Sequence, residues 1–349
     1  MDSALLLLKI LLVIAVQQGT VAYLIYVERK VAAFVQNRVG PNRVGWQGLL
    51  QPLADGVKLM LKEEILPAGV NKALYFLAPG IALFTTTISL AVIPFGPTNP
   101  RDPSSLQFVI APGMDIGILY IFAVGSLTVY AVILGGWASN SKYSFFGAMR
   151  SSAQVLSYEI PLGMSVLGVV LLASSLNLEK IVDAQADQVW FIFYQPLGFL
   201  LFFVSALAEA NRTPFDLPEC EQELVGGYHT EYSSMKWALF FFGEYTHLVV
   251  ISLMTVVLFF GGWDLPWVLG AAQPAGAWAS LGVLIAKVAV MMVKTFLVIL
   301  LIMWIRWTLP RFRYDQLMSL AWRVMIPLGL ANLLITAVVV HLIRSGSYW

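Results

Sequence analysis

Charge is what this chain has least of. Asp, Glu, Lys and Arg make up 12% of its 349 residues, hydrophobic residues 59%, and mean hydropathy is +0.78. A soluble domain usually carries about 25% charge, so the composition excludes an ordinary globular protein and points to a membrane. The two signs almost cancel, leaving +1, which gives no reason to expect nucleic-acid binding. Cysteine is nearly missing as well. The single Cys220 excludes an intramolecular disulfide and a self-contained iron–sulfur cluster, which needs about four thiolates. The three histidines, His229, His247 and His341, fall on a loop and two apolar stretches. No two share a segment, so a haem held by a histidine pair is not expected. A Gly-rich phosphate loop, a metal-ligand cluster and a nucleophile triad are also missing from the sequence. Any redox group must come from elsewhere.

What the chain has is long apolar runs. A membrane span needs roughly 20 apolar residues, and eight such stretches centre on 4–27, 73–93, 115–137, 153–175, 189–210, 237–260, 279–306 and 321–343. The first is too long for a signal-peptide core and has no A-x-A-like cleavage site, so it reads as a retained span. Eight spans put both termini on one side, and the basic residues choose which. The odd-numbered connections hold 15 Lys and Arg, the even ones and the C-terminus 3. Both termini are therefore expected outside, with connections 1, 3, 5 and 7 in the cytoplasm or a mitochondrial matrix. No linker or clear repeat divides the chain. The expectation is an all-α polytopic membrane protein, one membrane domain over 1–349, with structured cytoplasmic loops at about 28–72, 138–152, 211–236 and 307–320.

Those loops carry pattern. Gly48–Glu63 sets Leu49, Leu50, Leu53, Val57, Met60 and Leu61 on one helical stripe and Asp55, Lys58 and Lys62 on the other, which predicts an amphipathic helix lying at the interface or roofing a bundle. The basic turn region QNRVGPNRVG precedes it. Residues 209–231, EANRTPFDLPECEQELVGGYHTE, hold six carboxylates between two spans. Asp216 and Glu219 fit a capping box with Pro218 in the first turn, and Gly226 and Gly227 would stop the short helix. Ionisable residues also enter the spans. Glu159 and Glu244 each lie seven residues in, roughly 10 Å at helical rise; Glu209 ends the fifth span, and Lys287 and Lys294 share a face of the seventh. Such groups are costly in a membrane and mark function or a structural polar contact between helices.

Gly48–Glu63 and PFDLPECEQELVGG at Pro214–Gly227 closely resemble the two signature segments of the H-subunit family of NADH:quinone oxidoreductases, respiratory complex I. ERKV at Glu28–Val31, SYEIP at Ser157–Pro161, GYHTEYSSMKWALFFFGEY at Gly227–Tyr245 and PRFRYDQLM at Pro310–Met318 are similar to that family too. The resemblance covers nearly the whole chain.

The resemblance implies a heel subunit joining the membrane arm of a proton-translocating oxidoreductase to its hydrophilic arm, in the bacterial inner membrane. Quinone, the substrate, would enter from the bilayer between the first span, the loop 1 helix and the sixth span. FMN and iron–sulfur clusters would belong to partner subunits, and this chain alone would bind no cofactor or metal. Its partners would be the hydrophilic quinone-module subunits, small membrane-arm subunits, quinone and lipid. The proton-path candidates are Glu159, Glu209, Glu219, Glu221, Glu223, Glu231 and Glu244. Candidates for a quinone tunnel are Arg29, Asp55, Phe215 and Arg306 at its inner end and Ala54 and Gly56 in its wall. Candidates for docking and charge pairing are Arg38, Lys142, Arg150, Arg212, Asp216, Arg311 and Arg313, with Arg212 and Asp216 as a candidate pair. Two other readings stay open: the homologous subunit of a membrane-bound hydrogenase, which would lack a quinone tunnel, and a secondary transporter, although no inverted repeat is visible.

Overall fold

A computed structural model describes residues 3–98, 108–186, 189–216, 225–265 and 277–346, and among these it holds helices and no strand. Seven helical stretches are long and apolar enough to cross a membrane, so the chain is a multi-pass helical membrane protein. In chain order the helices are α1 (Ser3–Val35), α2 (Gln51–Leu61), α3 (Lys72–Ile88), α4 (Gly117–Ser126), α5 (Thr128–Ala138), α6 (Lys142–Ala173), α7 (Leu178–Ala186), α8 (Phe191–Tyr194), α9 (Pro196–Glu209), α10 (Ser234–Phe259), α11 (Ala277–Thr308), α12 (Tyr314–Ser319) and α13 (Ile326–Gly346). A π-helical turn over Leu320–Met325 fuses the last two into one span.

Several ends differ from the hydropathy reading, because a helix stops where its backbone is turned and not where apolar residues run out. α1 continues to Val35, so Glu28, Arg29 and Lys30 stand on a helix and not in a loop. It is closed by Asn37 in the left-handed region (φ 51°), with the Arg38 N–H bonded to the Ala33 carbonyl at 2.9 Å, the geometry that satisfies terminal carbonyls. α6 begins at Lys142, which makes Lys142 and Arg150 helical too. Connection 7 shrinks to 309–313 because α12 starts at Tyr314.

The fifth expected span is broken. Pro196 disfavours a helical residue before it, and Gln195 leaves helical geometry (φ −131°, ψ 55°). The same proline suits the first turn of a new helix, α9, whose 14 residues span roughly 21 Å, short of the ~30 Å hydrocarbon core. The freed Gln195 side chain is buried and satisfied across the bundle. It donates to Thr336 Oγ1 at 2.6 Å and accepts from Asn332 Nδ2 at 2.9 Å.

α10 is the hub and packs on α3, α11, α1, α2 and α9. The most apolar stretch of α10 is 72% buried, against 17% for the first and last spans. α6 is the second hub, against α5, α9 and α13. Small residues let these helices close up, as membrane packing favours. A Cβ placed on Gly136 of α5 would stand 2.3 Å from Ala148 Cβ of α6, and one on Gly147 would stand 2.6 Å from Gly227 Cα. The amphipathic helix exists as α2. Its apolar stripe points outward, with Leu53 65% and Leu61 82% exposed, and Asp55, with Pro52, Gly56 and Leu59, turns to α1 and α10.

Overpacking a tight helix contact costs about 1–3 kcal/mol. Gly136→Val should therefore lower the temperature at which the detergent-solubilised protein loses monodispersity. Gly80→Val, at a helical glycine with nothing within 4 Å of its Cβ position, should not.

Candidate functional site

Three clusters of unusual chemistry meet at the end of the bundle that carries α2. The first is a buried ion cluster. Glu28 of α1 is 6% exposed. It accepts hydrogen bonds from Arg306 of α11 and from the Tyr245 hydroxyl of α10 (2.5 Å), and it pairs with Arg212 at 3.5 Å. Arg212 gets there because α9 ends on Asn211 in the left-handed region (φ 48°), with the Arg212 N–H on the Leu207 carbonyl at 3.1 Å. The segment is then pinned from both sides. Gln154 of α6 donates to the carbonyls of Ala208 (2.8 Å) and Phe215 (2.9 Å), and the Phe312 N–H bonds the Pro214 carbonyl at 3.2 Å. The Arg212 guanidinium lies 4.2 Å from the Tyr245 ring centroid, a favourable place for a desolvated cation.

The expected Arg212–Asp216 pair does not form. Arg212 turns to Glu28, and Asp216 pairs with Arg311 at 3.4 Å. The turn after α9 aims the two side chains at different helices. Burial pushes the Asp216 carboxyl up to about 6, helped by the charge of Glu244 and opposed by Arg306, Arg311 and Arg212.

The second cluster surrounds a cavity of about 60 Å³ between α3, α5, α6, α9 and α10, room for a few water molecules. Glu209 and His247 face each other across it at 3.5 Å. Glu244 lines it and accepts a 2.6 Å hydrogen bond from the Tyr228 hydroxyl. Thr86, Thr128, Ser151 and Ser152 add hydroxyls to the wall. Glu244 lies ten residues into α10 from Ser234, roughly 15 Å of helix, which is deeper than the apolar run alone suggests.

The third is a cavity of about 170 Å³ walled by Ala22, Ile25 and Tyr26 of α1, by Pro52, Gly56 and Leu59 of α2, and by Trp237, Ala238, Phe241 and Phe242 of α10. Its polar groups sit together: Arg29 and Asp55, paired at 2.6 Å, Gln51, which donates to Asp55 at 3.1 Å, and Lys58, 3.7 Å from the same carboxylate.

The sequence candidates sort unevenly. Glu209 and Glu244 come together, and Arg29 and Asp55 line one cavity. Ala54 is not in that wall, although its neighbour Gly56 is. Phe215 is core, 5.7 Å from the Tyr158 ring and stacked on Phe312 at 5.6 Å. Arg306 belongs to the ion cluster. Glu159 lines a separate groove on the outside of α6 with Phe122, Met164 and Trp322. Glu231 is half-buried, and its carbonyl accepts from Tyr75 at 2.7 Å. Arg38 and Arg43 rim an open basic hollow with Arg29. Lys142 is exposed, Arg150 lies 5.5 Å from the Tyr314 ring, and Arg313 is exposed and paired with Asp315 at 2.5 Å. Glu219, Glu221, Glu223, Cys220 and the capping box of Asp216 and Glu219 fall wholly or partly outside the described residues.

Lys294 is held by backbone carbonyls. Its ammonium donates to the carbonyls of Phe260 (2.7 Å), Gly262 (2.9 Å) and Asp264 (2.6 Å) at the end of α10, while Lys287 pairs with Asp264 at 2.8 Å. Four residues escaped the sequence reading as site members: Glu28, Tyr228, Tyr245 and His247. His247 was visible in principle, since it stands three positions after Glu244 and so shares its helix face.

Fold and site together define a polytopic helical membrane protein with buried ionisable groups and an apolar side cavity gathered at one end. The chain belongs to the NADH dehydrogenase family, whose model matches residues 8–337. It is 50% identical over 314 residues to the NADH-quinone oxidoreductase H subunit 1 of Cytophaga hutchinsonii, covering 90% of each chain. It is 48% identical over 344 residues to the protein of that name from Geobacter sulfurreducens, covering 96% of this chain and 94% of the relative. It is also 48% identical over 336 residues to the NADH-quinone oxidoreductase H subunit of Bacillus mycoides, covering 96% and 93%.

Removing one partner of a buried ion pair costs about 3–5 kcal/mol. Glu28→Gln should strip Arg212 and Arg306 of their shared counter-charge and lower the yield of folded protein, measured as the monodisperse fraction after extraction. Asp216 supplies a pH signature. Its folded value of about 6 lies above its ordinary 3.8, so the protonated carboxyl favours the fold at low pH. That contribution is lost as pH rises from 3.8 through about 6. Infrared difference spectra should show a carboxyl C=O band titrating near that upper value, and Asp216→Asn should remove it.

Proposed function

We propose that this chain is the membrane subunit of a proton-translocating NADH:quinone oxidoreductase, where it forms the passage for quinone and the first acidic steps that link quinone reduction to proton movement. The observation that carries the reading is the cavity between α1, α2 and α10. Its walls are apolar and aromatic, as a prenyl tail requires, and its polar groups are few and placed together, as an orienting site requires. Arg29 links it along α1 to the neighbouring Glu28. The ion cluster there joins Asp216 through Arg306 and Arg311, and the Glu209–Glu244–His247 chamber lies beyond, on α9 and α10. Negative charge formed on a reduced quinone would be felt along this line of coupled groups. The relatives are named as H subunits of NADH-quinone oxidoreductases, which favours this reading over a hydrogenase component or a transporter.

In this reading FMN and iron–sulfur clusters sit on hydrophilic partner subunits. These dock on the basic end through Arg38, Arg43, Lys142 and Arg150, with Arg311 and Arg313 beside them. Small membrane-arm subunits cover the outer helices. The membrane is the bacterial inner membrane, with the basic end in the cytoplasm and both termini outside, as the positive-inside bias directs.

Two substitutions test it in the purified complex reconstituted in proteoliposomes. Gly56→Phe, which adds bulk to the cavity wall, should raise KM for long-tailed quinones and spare short soluble analogues. Glu209→Gln and Glu244→Gln should let NADH oxidation by an artificial acceptor continue while quinone reduction and proton pumping fall together by about tenfold or more. Quinone turnover and pumping at wild-type rates in both glutamine variants would remove the acidic chamber from the mechanism.

A further inference from the structure

α2 forms one wall of the side cavity, yet none of its residues is fully buried. Packing alone does not hold it. Polar tethers at its two ends do. On the α1 side Arg29 pairs with Asp55 at 2.6 Å, and the Tyr26 hydroxyl donates to the Gln47 carbonyl at 2.7 Å. On the α10 side the contact is a clasp. The last carbonyls of a helix have no partner within it, and Ser234 Oγ lies 2.8 Å from the Leu59 carbonyl and 3.0 Å from that of Lys62, donating its one proton between them. The Ile65 N–H bonds Ser233 Oγ at 3.1 Å. Lys236, 4% exposed, reaches Glu64 at 3.5 Å with its ammonium 4.5 Å from the Phe76 ring.

Ser234 is itself unusual. It is 3% exposed and opens α10 in the left-handed region, φ 57°, a conformation that a serine adopts only when its surroundings impose it. One turn further along α10 Trp237 and Ala238 face the cavity, and Phe241 does so a turn beyond them. The clasp and the wall therefore belong to the same stretch of helix.

We infer that Ser234 and Lys236 are positioning residues: by clasping the C-terminal end of α2 they set its separation from α10, and so the width of the side opening through which a long apolar tail passes. The inference rests on the passage proposed above. When the clasp is broken, the open arrangement is populated only part of the time, and apparent affinity falls by that fraction. Short quinones use less of the opening and feel less of the loss.

The test uses the assembled complex. Ser234→Ala should raise the ratio of KM for a long-tailed quinone to KM for a short-tailed one by about three- to tenfold, the range one net hydrogen bond supplies, and speed amide exchange over residues 51–61. Ser234→Gly removes the same hydroxyl but tolerates the backbone, so it should match Ser234→Ala. Glu64→Gln, at the exposed end of the Lys236 contact, should shift the ratio the same way by less. A wild-type ratio in Ser234→Gly would place any effect of alanine in backbone strain and overturn the clasp. If Gly56→Phe discriminates between tail lengths and the serine variants do not, the clasp is overturned and the passage stands. If Gly56→Phe treats both tails alike, the passage reading falls and the inference falls with it.

Discussion

Glu28 holds the functional end of this protein together. One carboxylate from α1 takes Arg306 from α11, Tyr245 from α10 and Arg212 from the turn after α9. Four chain segments that are distant in sequence meet on two oxygen atoms. In a low-dielectric interior such a cluster gains little over an apolar core of the same shape, but losing one member is expensive. Its effect is therefore on geometry more than on net stability. It fixes where α1 and α11 lie against α10, and α1 and α10, with α2, wall the side cavity.

The membrane sets the terms for the other buried charges. Each ionisable group in the spans must meet a partner, a cavity or water, and the described residues differ in which they find. Lys294 is spent on three carbonyls that end α10, so its charge closes a helix. Glu209, Glu244 and His247 share a small chamber whose wall carries the hydroxyl residues Thr86, Thr128, Ser151 and Ser152. Glu159 sits in an open groove on the outside of α6, a surface that an apolar bilayer suits poorly. The same residue type thus does different physical work according to what the tertiary structure puts beside it.

α2 shows the same division between composition and placement. Its stripe of Leu, Val and Met predicts an amphipathic helix, and an amphipathic helix forms. The stripe faces away from the bundle, while Asp55, with Pro52, Gly56 and Leu59, faces the cavity. Periodicity defines two faces of a helix; which one turns inward depends on the partners available. Here those partners are Arg29 on one side and the carbonyl-clasping Ser234 on the other.

Much was legible in the residues alone. Apolar run length identified the spans, because a buried backbone in lipid has few ways to satisfy itself other than a helix. The stretches resembling a known family identified that family and, through the tunnel it implies, Arg29 and Asp55, while Glu209 and Glu244 were marked by charge in apolar surroundings. What local pattern could not supply was pairing. Arg212 and Asp216 are four residues apart and of opposite sign, yet the turn at Asn211 sends one to Glu28 and the other to Arg311. Nor could pattern show that Pro196 would break the fifth span and bury Gln195 against Asn332 and Thr336, or that Tyr245 and His247 would join the buried charges. Spans follow from transfer of side chains out of water, a property each segment carries by itself. Pairings follow from which helices pack together, and that is decided by small residues such as Gly136 and Gly147 and by backbone turns far along the chain from the groups they bring into contact.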